Sequence, residues 1–263
     1  MPEYGDFAAL MARNAGAVLI DRFSQNHRID YKGDIDLVTE ADRMSEDLLI
    51  TEISRRFPDH DILSEETVAT EKGSRCRWVI DPLDGTTNYA HGFPLFCVSI
   101  AFEKDGQIVT GVVYNPVSDE LFAAGRGEGA FCNGSRITVS GTTKIAESLL
   151  ATGFPYDIRT SPENNINYFS EMALRARGIR RAGSAALDLA YTAAGRFDGF
   201  WELKLHPWDT AAGWILVSEA GGMVTDIRGG SYRLDAPSIV ASNGTIHDQM
   251  IRILSGVNPV DRG

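Results

Sequence analysis

Residues 78–88 read Trp-Val-Ile-Asp-Pro-Leu-Asp-Gly-Thr-Thr-Asn, an apolar run delivered straight into two acids, a proline, a glycine and three hydroxyl or amide side chains. The order predicts a strand end, an acidic turn and a helix start. Pro82 stiffens the turn, so that Asp81 and Asp84 project from its two sides toward one point. Gly85 lets the backbone approach a ligand, and the N–H groups of Gly85, Thr86 and Thr87 open the next helix, where anions bind. Two carboxylates about 5 Å apart repel by roughly 3 kcal/mol at an effective dielectric of 20, which invites a compensating cation. Oxygen ligands select magnesium, calcium or manganese over zinc. A phosphate on a helix N-terminus beside such a cation is what metal-assisted phosphoryl chemistry requires. An Asp-rich turn with Asp84 as a plain helix cap accounts for these eleven residues equally well.

Three further segments bear on that choice: Asp36-Leu37-Val38-Thr39-Glu40-Ala41-Asp42, Ser64-Glu65-Glu66-Thr67 and Pro207-Trp208-Asp209-Thr210-Ala211-Ala212-Gly213. Read singly, Asp42 and Asp209 are helix-capping carboxylates, Glu202 in Trp201-Glu202-Leu203 is a solvent-facing strand residue, and Trp208 packs. Together, and with Gly183-Ser184-Ala185-Ala186-Leu187-Asp188, the segments resemble the inositol monophosphatase family over nearly the whole chain.

That resemblance implies a mixed α/β chain with a layered αβαβα sugar-phosphatase fold, usually a homodimer, that hydrolyses phosphate monoesters with two to three magnesium ions and is often lithium-sensitive. By the family's pattern, Glu65, Asp81, the backbone carbonyl of Leu83 and Asp84 match a first metal site. Asp81, Asp84 and Asp209 match a second, and a third ion leans on Glu65 and water. Asp42 and Thr86 match the pair that orients and activates the attacking water, Asp42 being expected in the first turn of its helix. Asp84, Gly85, Thr86, the backbone of Gly183, Ser184 and Ala185, and the side chains of Glu202 and Asp209 would face the substrate. Arg180 or Arg181 would meet substrate or the dimer partner, or only solvent. Two positions depart from the pattern: Ser64 replaces the common glycine before Glu65, and Lys32 precedes Asp36 by one residue fewer than in animal members.

The expected reaction is direct attack of metal-activated water on phosphorus, with myo-inositol 1-phosphate favoured as substrate through Glu202 and residues 183–187. Histidinol phosphate, fructose 1,6-bisphosphate and 3′-phosphoadenosine nucleotides are the alternatives on the same chemistry. A regulatory protein binding RNA or a transcription factor is the alternative from another class.

The elements that must position these side chains follow from periodicity. Phe7, Leu10, Met11, Val18 and Phe23 predict an amphipathic helix over 6–24 capped by Asp6, and Met44, Leu48, Leu49, Ile53 and Phe57 predict a second after a Thr39-x-x-Asp42 cap, closed by Pro58. Apolar runs 77–80, 97–103, 108–114 and 120–124, separated by Asp105-Gly106 and Asn115-Pro116, predict an antiparallel sheet of hairpins. Gly125-Arg126-Gly127-Glu128-Gly129 reads as a turn followed by another turn over 130–134, since a dinucleotide loop needs a helix after it. Helices near 164–177, 184–195 and 210–220 and after Asn243-Gly244 alternate with strands at 148–152, 200–202, 222–226 and 239–241. No linker or repeat divides the chain, which predicts one unit over 1–263 with an acidic metal-site half to about residue 140 and a substrate-side half after it.

Composition sets outer bounds. The net charge of −11, from 36 acidic against 25 basic residues, disfavours nucleic acid or an anionic membrane as partner. Cys76, Cys97 and Cys132 form no CxxC pair and read as small core residues, and His91 and His206 lack zinc-like spacing. No run of about 18 apolar residues occurs, and Glu3, Asp6 and Arg13 interrupt any export signal, so the expected compartment is the cytoplasm.

Overall fold

The computed structural model describes residues 3–25, 34–67 and 72–257, with side chains described for 3–23, 40–67 and 72–257. The first sheet runs in chain order: β1 (Asp61–Ser64), β2 (Cys76–Asp84), β3 (Cys97–Lys104), β4 (Gln107–Asn115), β5 (Glu120–Gly125), β6 (Gly129–Cys132) and β7 (Ser135–Ile137). From β2 onward every pairing is antiparallel, as the hairpin signals predicted, while β1 lies parallel to β2. Asp105 and Gly106 both take positive φ, 51° and 76°, the primed-turn geometry that a two-residue Asp-Gly hairpin demands.

Alternation along β2 shows how the sheet is buried on both faces. Trp78 and Ile80 pack with Ala8, Met11, Ala15 and Leu19 of α1 (Glu3–Gln25) and with Leu49 and Ile53 of α2 (Asp34–Arg56). Val79 faces the other way, into a core shared with α5 (Ala185–Ala193) and α6 (Pro207–Glu219). Gly111 of β4 permits this approach, because a Cβ there would meet the Ala212 backbone of α6 at 2.8 Å.

The same two helices cover the second sheet, ordered β11-β12-β10-β8-β9 from β8 (Leu149–Thr152), β9 (Gly178–Arg180), β10 (Gly199–Leu203), β11 (Met223–Thr225) and β12 (Ser238–Ser242). On its outer face α4 (Ile166–Ala173) and α7 (His247–Ser255) close a third core around Trp201 and Val240. The sequence of layers is α1/α2, first sheet, α5/α6, second sheet, α4/α7, which is the αβαβα arrangement expected.

Several boundaries differ from the sequence expectation. Helix α1 starts at Glu3, so Asp6 sits within its first turn, and Leu10 is 55% exposed; the buried stripe is instead Ala8, Met11, Ala12, Ala15 and Leu19. Helix α2 begins at Asp34, which moves Asp42 from the first turn to the third. Residues 130–132 form β6 rather than a turn, and the turn is confined to Asn133-Gly134, where both residues have positive φ. Strands β1 and β9 were not foreseen; each has only three or four residues and too little pattern to stand out. Lys32 lies outside the described residues, as do the side chains of Asp36 and Thr39.

Candidate active site

The acidic segment is the end of a bulged strand. Asp81 pairs with Ser99 and Asp84 with Cys97, so three steps along β2 span two along β3. In a regular strand, residues three apart point to opposite faces; the extra residue returns Asp84 to the face of Asp81. The segment is pinned locally. Leu83 N–H donates to Asp81 Oδ1 (3.0 Å), the Thr86 hydroxyl donates to the Leu83 carbonyl (3.1 Å), and Ser45 of α2 donates to the Pro82 carbonyl (2.9 Å). Gly85 then takes φ +95° and caps α3 (Thr86–Ala90). What excludes a side chain at Gly85 is the Leu95–Phe96 backbone, about 3 Å from where a Cβ would sit, although the residue also lines the cleft described below.

Asp209 arrives from the opposite half. Helix α6 opens with His206 as N-cap and Pro207 at its first position, so Asp209 is the third helical residue and not the cap. Its Oδ2 accepts the His206 N–H at 2.6 Å, satisfying a helix-start donor. One carboxylate oxygen each from Asp81, Asp84 and Asp209 lie within 4.8 Å of one another. Glu65 follows β1, whose parallel register sets Ser64 beside Ile80, and its carboxyl lies close enough to Asp81 and Asp84 for their charges to act on one another.

The electrostatics are those of an uncompensated acidic cluster. Burial, then the charges of Glu65, Asp84 and Asp209, holds Asp81 well above the usual carboxylate range; burial and Asp84 do the same to Asp209. Glu65 is pushed up to about 7 by burial and then by Asp84 and Glu66. Asp42 is pushed up to about 8 by burial, with Glu66, Glu65 and Glu46 adding to it, and its Oδ1 has no partner. Among the described residues, no ion pair reaches Asp42, Glu65, Asp81, Asp84 or Asp209. Oxygen donors only, an orphaned buried oxygen and unbalanced negative charge together fit a hard divalent cation. Asp42 and Thr86 sit on neighbouring helices, since α2 packs on α3, but the Thr86 hydroxyl is directed to the Leu83 carbonyl.

On the substrate side the Ser184 side chain has a partner of its own. Ser184 caps α5, and its hydroxyl donates to Asp84 Oδ2 at 2.6 Å; the Ala186 N–H donates to the same oxygen at 2.8 Å. The hydroxyl therefore holds one acid of the cluster and leaves the backbone of residues 183–185 along the cleft. Asn88 Nδ2 donates to the Leu95 and Ala182 carbonyls, each at 2.8 Å, and so fixes the loop in which Gly183 takes φ +88°. Glu202 is 8% exposed on β10, contrary to a solvent-facing strand position. Burial, then Asp209 and Asp84, pushes it up to about 8.

One cleft joins the two sides of the site, and Asp84, Thr86, Gly183, Ser184, Glu202 and Asp209 all appear in its wall. Arg181 also lines it; Arg180, at the end of edge strand β9, is exposed. Trp208 packs its ring on His206, with centroids 4.8 Å apart. His91 is the exposed C-cap of α3, and of the three free cysteines only Cys97 is buried.

Three contributors went unread in the sequence. Glu46 is buried and accepts from the Ser64 hydroxyl and from the Thr67 N–H (3.1 Å) and hydroxyl (3.2 Å), so Ser64, the departure from the family pattern, anchors the Glu65 loop. Asp188 stands in the cleft wall, and Gly153 lies beneath the Glu202 carboxylate. The available signal was helical spacing: Glu46 is four residues after Asp42, and Asp188 four after Ser184, on the same helix faces.

Comparison with known proteins agrees with the fold. A model of the inositol monophosphatase family matches residues 3–258. An inositol-1-monophosphatase of Mesorhizobium japonicum is 47% identical over 244 residues, 92% of either chain. The Nus factor SuhB of Pseudomonas aeruginosa is 44% identical over 248 residues, 90% of either chain. The solved inositol monophosphatase of Anabaena (Nostoc) sp. PCC 7120 superposes with a TM-score of 0.90 at 44% identity, covering 99% of this chain and 98% of that one. Layered fold and clustered carboxylates thus define a phosphoric monoester hydrolase. The chain belongs to the inositol monophosphatase family.

Proposed function

We propose that the protein hydrolyses myo-inositol 1-phosphate to inositol and phosphate, with two to three magnesium ions held by Glu65, Asp81, the Leu83 carbonyl, Asp84 and Asp209. The observation that carries this reading is the convergence of three carboxylate oxygens within 4.8 Å at a cleft whose wall also bears Glu202. Bound magnesium would lower the pKa of water and neutralise the phosphoryl oxygens and the leaving alkoxide. The chain's own residues do the rest. Asp42, buried with an unpartnered oxygen, and Thr86 orient the attacking water. Gly85, Thr86 and the backbone of Gly183 to Ala185 line the substrate, and Glu202 accepts a hydroxyl of the alcohol. No serine or cysteine nucleophile enters: the Ser184 hydroxyl is engaged with Asp84 and the Cys97 thiol is buried against it, its pKa held well up by that burial. The family resemblance adds a homodimer, lithium sensitivity and residence in the cytoplasm to the same reading; among the described residues no helix is long and apolar enough to cross a membrane.

Turnover of purified protein against inositol 1-phosphate, histidinol phosphate, fructose 1,6-bisphosphate and a 3′-phosphoadenosine nucleotide tests the substrate. The expected result is highest kcat/KM on inositol 1-phosphate with magnesium, inhibition by calcium through its looser coordination, and no turnover in chelator. Full turnover in chelator overturns the metal assignment; preference for another ester overturns the substrate.

The 44% identity with a Nus factor supports one second reading, a regulatory role through RNA or a transcription factor on the same fold. The charge of −11 weighs against a polyanionic partner. A pull-down comparing wild-type protein with metal-site variants separates the two: retention by a transcription component, unaffected by loss of turnover, supports regulation.

A further inference from the structure

Asp188 is a carboxyl for which the metal chemistry has no use. It lies in α5, one helical turn after Ser184, and is 1% exposed. Its backbone is fully employed, the N–H donating to the Ser184 carbonyl (3.0 Å) and the carbonyl accepting from the Thr192 hydroxyl (2.8 Å). Its side chain is not: Oδ1 is buried without a hydrogen-bond partner. Buried polar atoms in folded proteins are almost always paired, so an orphan of this kind calls for a specific explanation. Packing alone would be served better by an apolar residue, as its neighbours Leu187 and Leu189 illustrate. The position supplies the explanation, because Asp188 forms part of the wall of the active-site cleft together with Glu202.

The charged groups that face it are Glu202, Asp84 and the Arg181 guanidinium. Two of the three carboxyls are already assigned, Asp84 to the ions and Glu202 to a substrate hydroxyl. A polyol ring presents hydroxyls on adjacent carbons, each able to donate one hydrogen bond and accept others. Two buried carboxyls in one cleft wall match two such hydroxyls.

We propose that Asp188 is a second hydroxyl-reading carboxyl of this cleft: with Glu202 it pairs neighbouring hydroxyls of a polyol, so that the enzyme selects polyol phosphates over monoesters whose alcohol carries no further hydroxyl. The proposal rests on the phosphatase reading above and extends it to the alcohol. Sites built around a buried polar group discriminate strongly against ligands that leave it unpaired.

The test compares kcat/KM for inositol 1-phosphate with that for phenyl phosphate, which has no free alcohol hydroxyl, in wild type, Asp188→Leu and Asp188→Asn. The expected result is a fall of about ten- to a hundredfold in the inositol-to-phenyl ratio for Asp188→Leu, the scale of leaving a buried hydrogen-bonding partner unpaired, carried by KM more than by kcat. Asp188→Asn, which keeps an acceptor and a donor of the same shape, restores the ratio to within about threefold of wild type. An equal loss on both esters would mark Asp188 as structural and overturn the proposal, as would an unchanged ratio. If Asp188→Leu does not fold, Asp188→Ala is read by the same ratio. Should wild type turn over neither ester, the phosphatase reading fails by itself; calorimetric binding of free inositol then decides, loss of binding in the variant supporting Asp188 and equal or absent binding in both overturning it.

Discussion

The Ser184 hydroxyl donates to Asp84 Oδ2 across 2.6 Å although the two residues are one hundred apart in sequence. Together with the Ala186 N–H, it makes the first turn of α5 the clamp on one oxygen of Asp84. An acid at a helix N-terminus is stabilised by the unpaired N–H groups there. With Oδ2 held in this way, the other oxygen is available to the cluster with Asp81 and Asp209.

Asp84→Asn tests that division of labour. The carboxamide has a single acceptor, and the Ala186 N–H claims it, turning the NH2 group toward Asp81 and Asp209. The variant is expected to fold while losing more than the roughly 10–100-fold typical of changes outside the ligand shell. Its melting temperature should rise less with added magnesium than that of wild type. Near-normal turnover in folded protein would show that Asp84 only caps a helix.

Gly153→Ala should remove Glu202 from its place. A Cβ at Gly153 would collide with both carboxylate oxygens of Glu202, and the Gly153 carbonyl is tied by Asn165 Nδ2, whose Oδ1 accepts from Trp201, so the backbone has little room to retreat. The expected outcome is loss of preference among polyol phosphates, matching Glu202→Gln, with a smaller effect on the best attainable rate. An unchanged substrate profile in both variants would take Glu202 out of the alcohol site.

Metal-free stability should fall as pH rises. Asp42, Glu65 and Glu202 have ordinary values of 3.8, 4.5 and 4.5 but reach about 8, 7 and 8 in the fold, chiefly through burial. The folded state therefore binds more protons than the unfolded chain between about pH 4 and 8, and the linkage slope is negative. These groups favour the fold fully below pH 4 and lose that contribution progressively as pH climbs through 7 to 8. Melting in chelator should be lower at pH 8 than at pH 6, and saturating magnesium should narrow the gap. A metal-free protein that melts higher at pH 8 contradicts the proposed electrostatics.

Glu46→Ala should weaken metal binding from outside the cluster. It strands the Ser64 hydroxyl and the Thr67 N–H, for a stability loss of about 1–3 kcal/mol. The magnesium concentration for half-maximal rate should rise by about tenfold, because the loop carrying Glu65 loses its anchor. A lower melting temperature with an unaltered magnesium requirement would make Glu46 purely structural.

The five layers and the principal acids were legible because their signals are local or carried by motif. Short apolar runs marked the strands of the first sheet, Asp105-Gly106 marked a hairpin, and the acidic segments resembled one family, whose pattern implied the layers. What escaped were relationships across long separations. The β2 bulge exists only in register with β3, and nothing in Asp81-Pro82-Leu83-Asp84 alone reveals that the strand continues through the proline. The partner of the Ser184 hydroxyl lies one hundred residues away, and Glu46 carries no local signal of the Ser64 and Thr67 donors that the fold brings to it. Asp34 as a helix start was hidden by the stronger Thr39-x-x-Asp42 cap signal.

The grip of α5 on Asp84 also bears on how the protein acquires activity as it folds. A chain synthesised only as far as β7 already contains Glu65, Asp81 and Asp84, yet lacks Ser184, Ala186 and Asp209. Contacts this distant in sequence form late, after the loop-closure entropy has been spent. Trp78, buried against α1 and α2, reports on the first sheet's core alone. In refolding, the environment of Trp78 can therefore recover before the three aspartates converge, and catalysis becomes a reporter of the docking of α5 and α6 between the sheets.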